Sequence, residues 1–200
     1  MGSLPSGQAD RKKVSIEAAK LLAEGFVRDY HAAKIKAAKN LGFSDSFDLP
    51  TNREIEDELK LNQAMFDANG HDATIYSLRK QALEAMNMFE KYTPRLAGPV
   101  FDGTATQYSP IEIQVFSDSP KDMVINLLDL NVPFDTEDRK VRLSKNDTKL
   151  VPVFCFGMGD FEVEVTVLPP NSLRQSPLSP VSGAPMERAS IKNLIKMLES

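Results

Sequence analysis

The sequence predicts an α+β protein in which an N-terminal helical region precedes a small sheet. Three observations predict it: apolar residues recur every three or four positions up to residue 93, they alternate every second position after Pro94, and Pro94 itself stops the last helix of the first regime. The expected order is a disordered N-terminus over 1–14, a helical region over 15–93, an α+β domain over 94–170, and a Pro/Ser-rich strap with a closing helix over 171–200.

The first element is read as one long amphipathic helix. Ser15 is a good N-cap, the residues Ile16, Ala19, Leu22, Phe26, Tyr30, Ala33, Ala37 and Leu41 form an apolar stripe, and Gly42 is a natural left-handed end. Its opposite face carries Lys20, Glu24, Arg28, Lys34, Lys36 and Lys39, a pattern that reads as solvated surface, with the last three able also to meet a phosphate. Thr51 and Glu54 form a capping box ahead of a second helix through about Phe66, whose short apolar face is Ile55, Leu59, Met65 and Phe66. A third helix, from about Thr74 to Tyr92, presents Ile75, Leu78, Ala82, Ala85, Met86 and Phe89 to a core.

After Pro94 the period changes. A short apolar run over 96–101 ends in a Gly103-Thr104 turn, and Ile111, Ile113 and Val115 then alternate with Glu112 and Gln114 as in a half-buried strand. Ser119-Pro120 opens a helix through Leu130. Further strand signals follow at 139–143, 151–156 and 161–168, the last two joined as a hairpin by the Gly-rich turn over 157–160. In the last strand Glu162 and Glu164 share one face. A closing amphipathic helix from about Ala189 to Leu198 reads as a strap docked back on the body.

Composition limits the function classes. With 42% hydrophobic and 26% charged residues the chain is globular, and a net charge of -4 supplies no global attraction for nucleic acid or an anionic membrane. Nothing in it approaches the roughly 20 apolar residues of a membrane span, so a cytoplasmic location is expected. There is no Walker or dinucleotide-type Gly-rich loop and no paired cysteine motif. His31 and His71 read as structural or solvated, and the single Cys155 as a small buried hydrophobe in an apolar run.

The stretch Gly103-Thr104-Ala105-Thr106-Gln107-Tyr108-Ser109-Pro110-Ile111-Glu112-Ile113-Gln114-Val115 resembles the nucleotidyltransferase signature, a Gly-Ser or Gly-Gly turn followed by a strand carrying acidic-hydrophobic-acidic residues. Over roughly Tyr30 to Ser190 the segments YHAAKIKAAKNLGF, LPTNREIEDEL, TPRLAGPVFDGTATQYSPIEIQVFSDSP and SPVSGAPMERAS resemble a family of uncharacterised bacterial nucleotidyltransferase-like proteins. The resemblance implies a mixed or antiparallel sheet with flanking helices. It also implies nucleotide contacts at Gly103, Thr104 and Ser109 and carboxylates for Mg²⁺ at Glu112 and at Glu164 or Glu162, while Lys34 of the first basic face is a further phosphate-binding candidate. Two-metal transfer needs several hard carboxylates converging on one point. Pro110 stands where the first acid of the pattern belongs and cannot ligate a metal.

Three functional readings follow. One is a nucleotidyltransferase-fold protein with weak or no catalysis that binds a nucleoside triphosphate or a protein partner. Another is an active nucleotidyltransferase with Glu112 and Glu164 catalytic and Mg²⁺ held by Glu112, Glu162 and Glu164. The third is a structural or interaction module whose glutamates are the solvated face of a sheet.

Overall fold

A computed structural model describes residues 6–27, 29–44, 46–66 and 68–199, without the side chains of 6, 64–66, 68 and 69. Arg28 of the expected basic face, and Met65 and Phe66 of the second apolar face, fall outside the described side chains. The chain divides into two compact units. The first comprises residues 1–72 with the short segments 106–108 and 180–182, and the second holds the remainder.

The first unit packs three helices, α1 (Ser6–Ala23), α2 (Tyr30–Asn40) and α3 (Asn52–Phe66). Two expectations are corrected here. α1 begins at Ser6, inside the segment read as disordered, and the single long helix is two helices. The break is a Schellman end: Gly25 adopts φ +72°, and the N–H of Phe26 donates to the Leu21 carbonyl at 3.0 Å. Asp29 then caps α2 by accepting from the Ala32 N–H at 2.8 Å. Within α1 the buried stripe is Val14, Ala18 and Leu21 while Ile16 is exposed, and Phe26, just past the break, is exposed as well. Val14 and Ala18 of α1, Ala33 and Ala37 of α2 and Ile55 and Leu59 of α3 share one core, and the expected Gly42 end (φ +77°) is present. The Thr51–Glu54 capping box forms as expected, with the Glu54 N–H on Thr51 Oγ1 at 3.2 Å and the Thr51 N–H on Glu54 Oε2 at 2.7 Å.

The second unit is α+β, as the sequence predicts. Its elements are α4 (Ala68–Met88), which enters it at Ala73, β1 (Arg95–Ala97), α5 (Gly98–Asp102), β2 (Ile111–Phe116), α6 (Pro120–Asp129), β3 (Asp135–Arg142), β4 (Thr148–Met158), β5 (Phe161–Leu168) and α7 (Ile191–Glu199). The apolar run over 96–101 is thus a three-residue strand followed by a short helix with Pro99 in its first turn. The five strands lie in the order β1-β2-β5-β4-β3, with β2 and β5 parallel and every other neighbour antiparallel. Pro152 marks where the β4·β5 ladder stops: β5 pairs only with residues from Val153 onward, because proline has no N–H to donate.

Strand alternation sorts the side chains onto two faces. Ile111, Ile113, Val115, Val163, Val165, Phe154 and Phe156 join Leu78 and Met86 of α4, Phe89 just beyond its end, Met123 and Leu127 of α6 and Leu194 of α7 in one apolar core. The opposite face carries Glu112, Gln114, Glu164 and Cys155. The strap docks back as expected: Ala189 bridges to Leu96 of β1, and the Arg188 guanidinium donates to Gln114 Oε1 at 2.9 Å and to the Ser172 and Leu173 carbonyls. This cover buries Gln114, which the alternation alone would leave wet.

Candidate functional site

Register decides which polar groups meet on the second face. Across the sheet, Ala97, Glu112, Glu164, Cys155 and Asp135 form one row, and Arg95, Gln114, Thr166, Val153 and Glu137 form the next. Glu112 and Glu164 therefore face each other across the parallel β2·β5 pair. Glu162 lies one row beyond Glu164 on the same side of β5, half-buried and opposite Gly157.

Arg139 reaches over this face from β3. Its Nη1 donates to Glu164 Oε2 at 2.7 Å and its Nη2 to Glu137 Oε1 at 2.5 Å. Burial opposes the guanidinium charge, but the two carboxylates outweigh it and hold Arg139 protonated above its ordinary range. Glu164 is itself buried, with 9% of its surface exposed, so this ion pair is a partly desolvated one.

Glu112 is in a different state. Among the described residues it accepts no hydrogen bond and joins no ion pair. Burial, reinforced by the neighbouring Glu164 charge and partly offset by Arg139, pushes its carboxyl up to about 7. The carboxylate folds against Gly98, where an added Cβ would stand 2.6 Å from Glu112 Cδ, and Gly98 has φ +66°. Only glycine leaves both the conformation and the space. The sequence signature directed attention to the later glycine, whereas Gly98 is the one beside the acid.

The turn at Gly103 forms as expected, with φ +75° at the end of α5. Its backbone donors are engaged within the turn: the N–H groups of Gly103, Thr104 and Ala105 all point to the Pro99 carbonyl. Arg79 takes the Val100 and Phe101 carbonyls at 3.2 and 3.1 Å. Thr104 is buried and Ser109 half-buried. Lys34 lies in the first unit, where burial and the charge of Arg11 lower its pKa while Glu54 opposes them.

Among the described residues, one set of three metal-type ligand atoms lies within 4.8 Å of one another: those of Glu137, Cys155 and Glu164. It overlaps the expected set of Glu112, Glu162 and Glu164 at a single member. Sequence spacing could not find Glu137 and Cys155, because they come from strands that pair only through the sheet order. The thiol is pushed up to about 11, by burial first and then by Glu164 and Glu137, and both carboxylates already hold Arg139. A cation entering here would have to displace the guanidinium, and a thiolate ligand would also require the loss of a proton.

No protein-family model matches the chain, and no curated protein and no solved structure matches it. No helix among the described residues is long and apolar enough to cross a membrane.

Proposed function

We propose that the chain is a nucleotidyltransferase-fold binding protein with weak or no catalysis, which takes a nucleoside triphosphate or a protein partner. The observation that carries this reading is the Arg139 guanidinium held between Glu164 and Glu137. A two-metal transfer site needs ionised carboxylates free to converge on the metals. Here Pro110 contributes no ligand, Glu164 is committed to an internal cation, and the Glu112 carboxyl is pushed well above the ordinary carboxylate range by burial and the neighbouring Glu164. Arg139 thus supplies from within the chain the positive charge that Mg²⁺ would otherwise supply.

Calorimetric titration with each of the four nucleoside triphosphates, with and without Mg²⁺, tests it. The expected result is heat with at least one nucleotide that Mg²⁺ leaves unchanged, and no turnover. No heat with any of them would remove the nucleotide and leave a partner-binding scaffold.

A second reading, an active Mg²⁺-dependent nucleotidyltransferase using Glu112, Glu162 and Glu164, is favoured by the unpartnered Glu112 carboxylate on the face shared with the other two. Turnover abolished by Glu112→Gln would establish that reading in place of the first.

A further inference from the structure

Strand β3 forms one edge of the sheet, and Asp135, Thr136, Glu137, Asp138, Lys140 and Arg142 on it are exposed. Peptide groups alternate in direction along a strand. The Leu143 N–H points inward to the Asp147 carbonyl of the hairpin, and the Arg142 carbonyl points outward, where it accepts from the Leu178 N–H at 2.7 Å. The strap therefore occupies the edge at Arg142. Thr136, Asp138 and Lys140 share the outward direction of Arg142, and among the described residues nothing pairs with them on that side.

Charged side chains along an edge strand ordinarily discourage pairing, most of all when they are of one sign and so repel any similar strand. The charges of β3 are instead segregated: Asp135, Glu137 and Asp138 come first, and Arg139, Lys140 and Arg142 follow. Such a strand repels a parallel copy of itself and attracts an antiparallel one.

We infer that β3 pairs antiparallel with β3 of a second copy of this chain, in the register centred on Asp138. A two-fold axis perpendicular to the sheet keeps the two faces matched only when residues of the same parity face each other. In this register Thr136 faces Lys140, Glu137 faces Arg139, and Asp138 faces its own equivalent. The three outward residues of each copy then exchange about six main-chain hydrogen bonds. A register shifted by two residues toward the C-terminus would call on the Arg142 carbonyl that Leu178 already holds, and one shifted the other way would set Glu137 opposite its own equivalent and run past the start of β3. The Glu137–Arg139 ion pair already formed within each copy is set beside its counterpart with opposite charges adjacent, which favours the register. The central Asp138 pair opposes it and is partly offset by Lys140 on the diagonal. An edge-to-edge contact is small, below about 1,200 Å² in total, so the dimer is concentration-dependent.

Sedimentation velocity of the full chain from low micromolar to millimolar concentration tests this, together with two substitutions of the exposed Asp138. The wild type is expected to pass from monomer to dimer. Asp138→Asn should tighten the dimer about threefold by removing the like-charge pair, and Asp138→Lys should weaken it about fivefold, because the like-charge pair remains while the diagonal attraction to Lys140 becomes a repulsion. Circular dichroism should be unchanged in both, because the Asp138 side chain is exposed. A chain monomeric throughout, or a dimer indifferent to both substitutions, would overturn the inference.

Discussion

Replacing Arg139 with glutamine removes the positive charge from the carboxylate face while preserving a polar side chain of moderate length. Glu164 is then left nearly buried without the donor it holds at 2.7 Å. Breaking a fully buried ion pair costs about 3–5 kcal/mol. The Arg139 side chain is 36% exposed, so water relieves part of the penalty, and a loss of about 1–3 kcal/mol is expected. Urea denaturation followed by circular dichroism at neutral pH measures it. Because the penalty resides on the stranded Glu164 charge, Glu164→Gln in the same chain should recover most of it, giving a coupling energy of at least about 1 kcal/mol in the double-mutant cycle. A loss below about 0.5 kcal/mol, or a loss that the second substitution leaves untouched, would refute the assignment of Arg139 as the internal cation of this face.

Other consequences follow from the same geometry. Glu112 has its carboxyl raised to about 7 in the folded protein, so the folded state retains a proton that the unfolded state gives up near the ordinary 4.5. Its destabilisation is absent below that value, grows as pH rises to about 7 and is constant above; relative to Glu112→Gln, the wild type should lose up to about 3 kcal/mol between acid and mildly alkaline pH. Parallel pH curves for the two proteins would contradict this. Glu54 is held at about 2, chiefly by its hydrogen bond from Arg11 against the opposing effect of burial, with Thr51 assisting. That contribution is present above the ordinary carboxyl pKa and is lost as pH falls through about 2. Glu54→Gln should therefore flatten the acid limb of stability by about 1 kcal/mol, the partial exposure of the pair keeping the effect small. Gly98→Ala combines a left-handed backbone with a Cβ driven into the Glu112 carboxylate, and should lower stability by about 1–3 kcal/mol in thermal denaturation.

Much of the fold was legible because local signals agreed with the packing. The Thr51–Glu54 capping box, the apolar stripe of α4 from Ile75 to Met86 and the alternation in β2 and β5 each predicted a feature that is present. The long first helix failed because an apolar stripe was allowed to run through Gly25 and past the Asp29 cap, two residues that announce an end and a start. The face carrying Glu112 and Glu164 was legible from alternation within single strands. The Arg139–Glu137–Glu164 network was not, since it depends on β4 lying between β3 and β5 and on a long side chain crossing rows. Gly98 was passed over for a similar reason. Its closeness to Glu112 arises from the antiparallel pairing of Ala97 with Glu112, which no spacing along the chain encodes.

The claim that Arg139 takes the place of catalytic metal is tested most directly by titrating the protein with Mn²⁺ and following the free ion by electron paramagnetic resonance. The wild type is expected to leave micromolar Mn²⁺ free, while Arg139→Gln, with Glu137 and Glu164 released, should retain it. Stoichiometric micromolar binding by the wild type that Glu112→Gln abolishes would contradict the account.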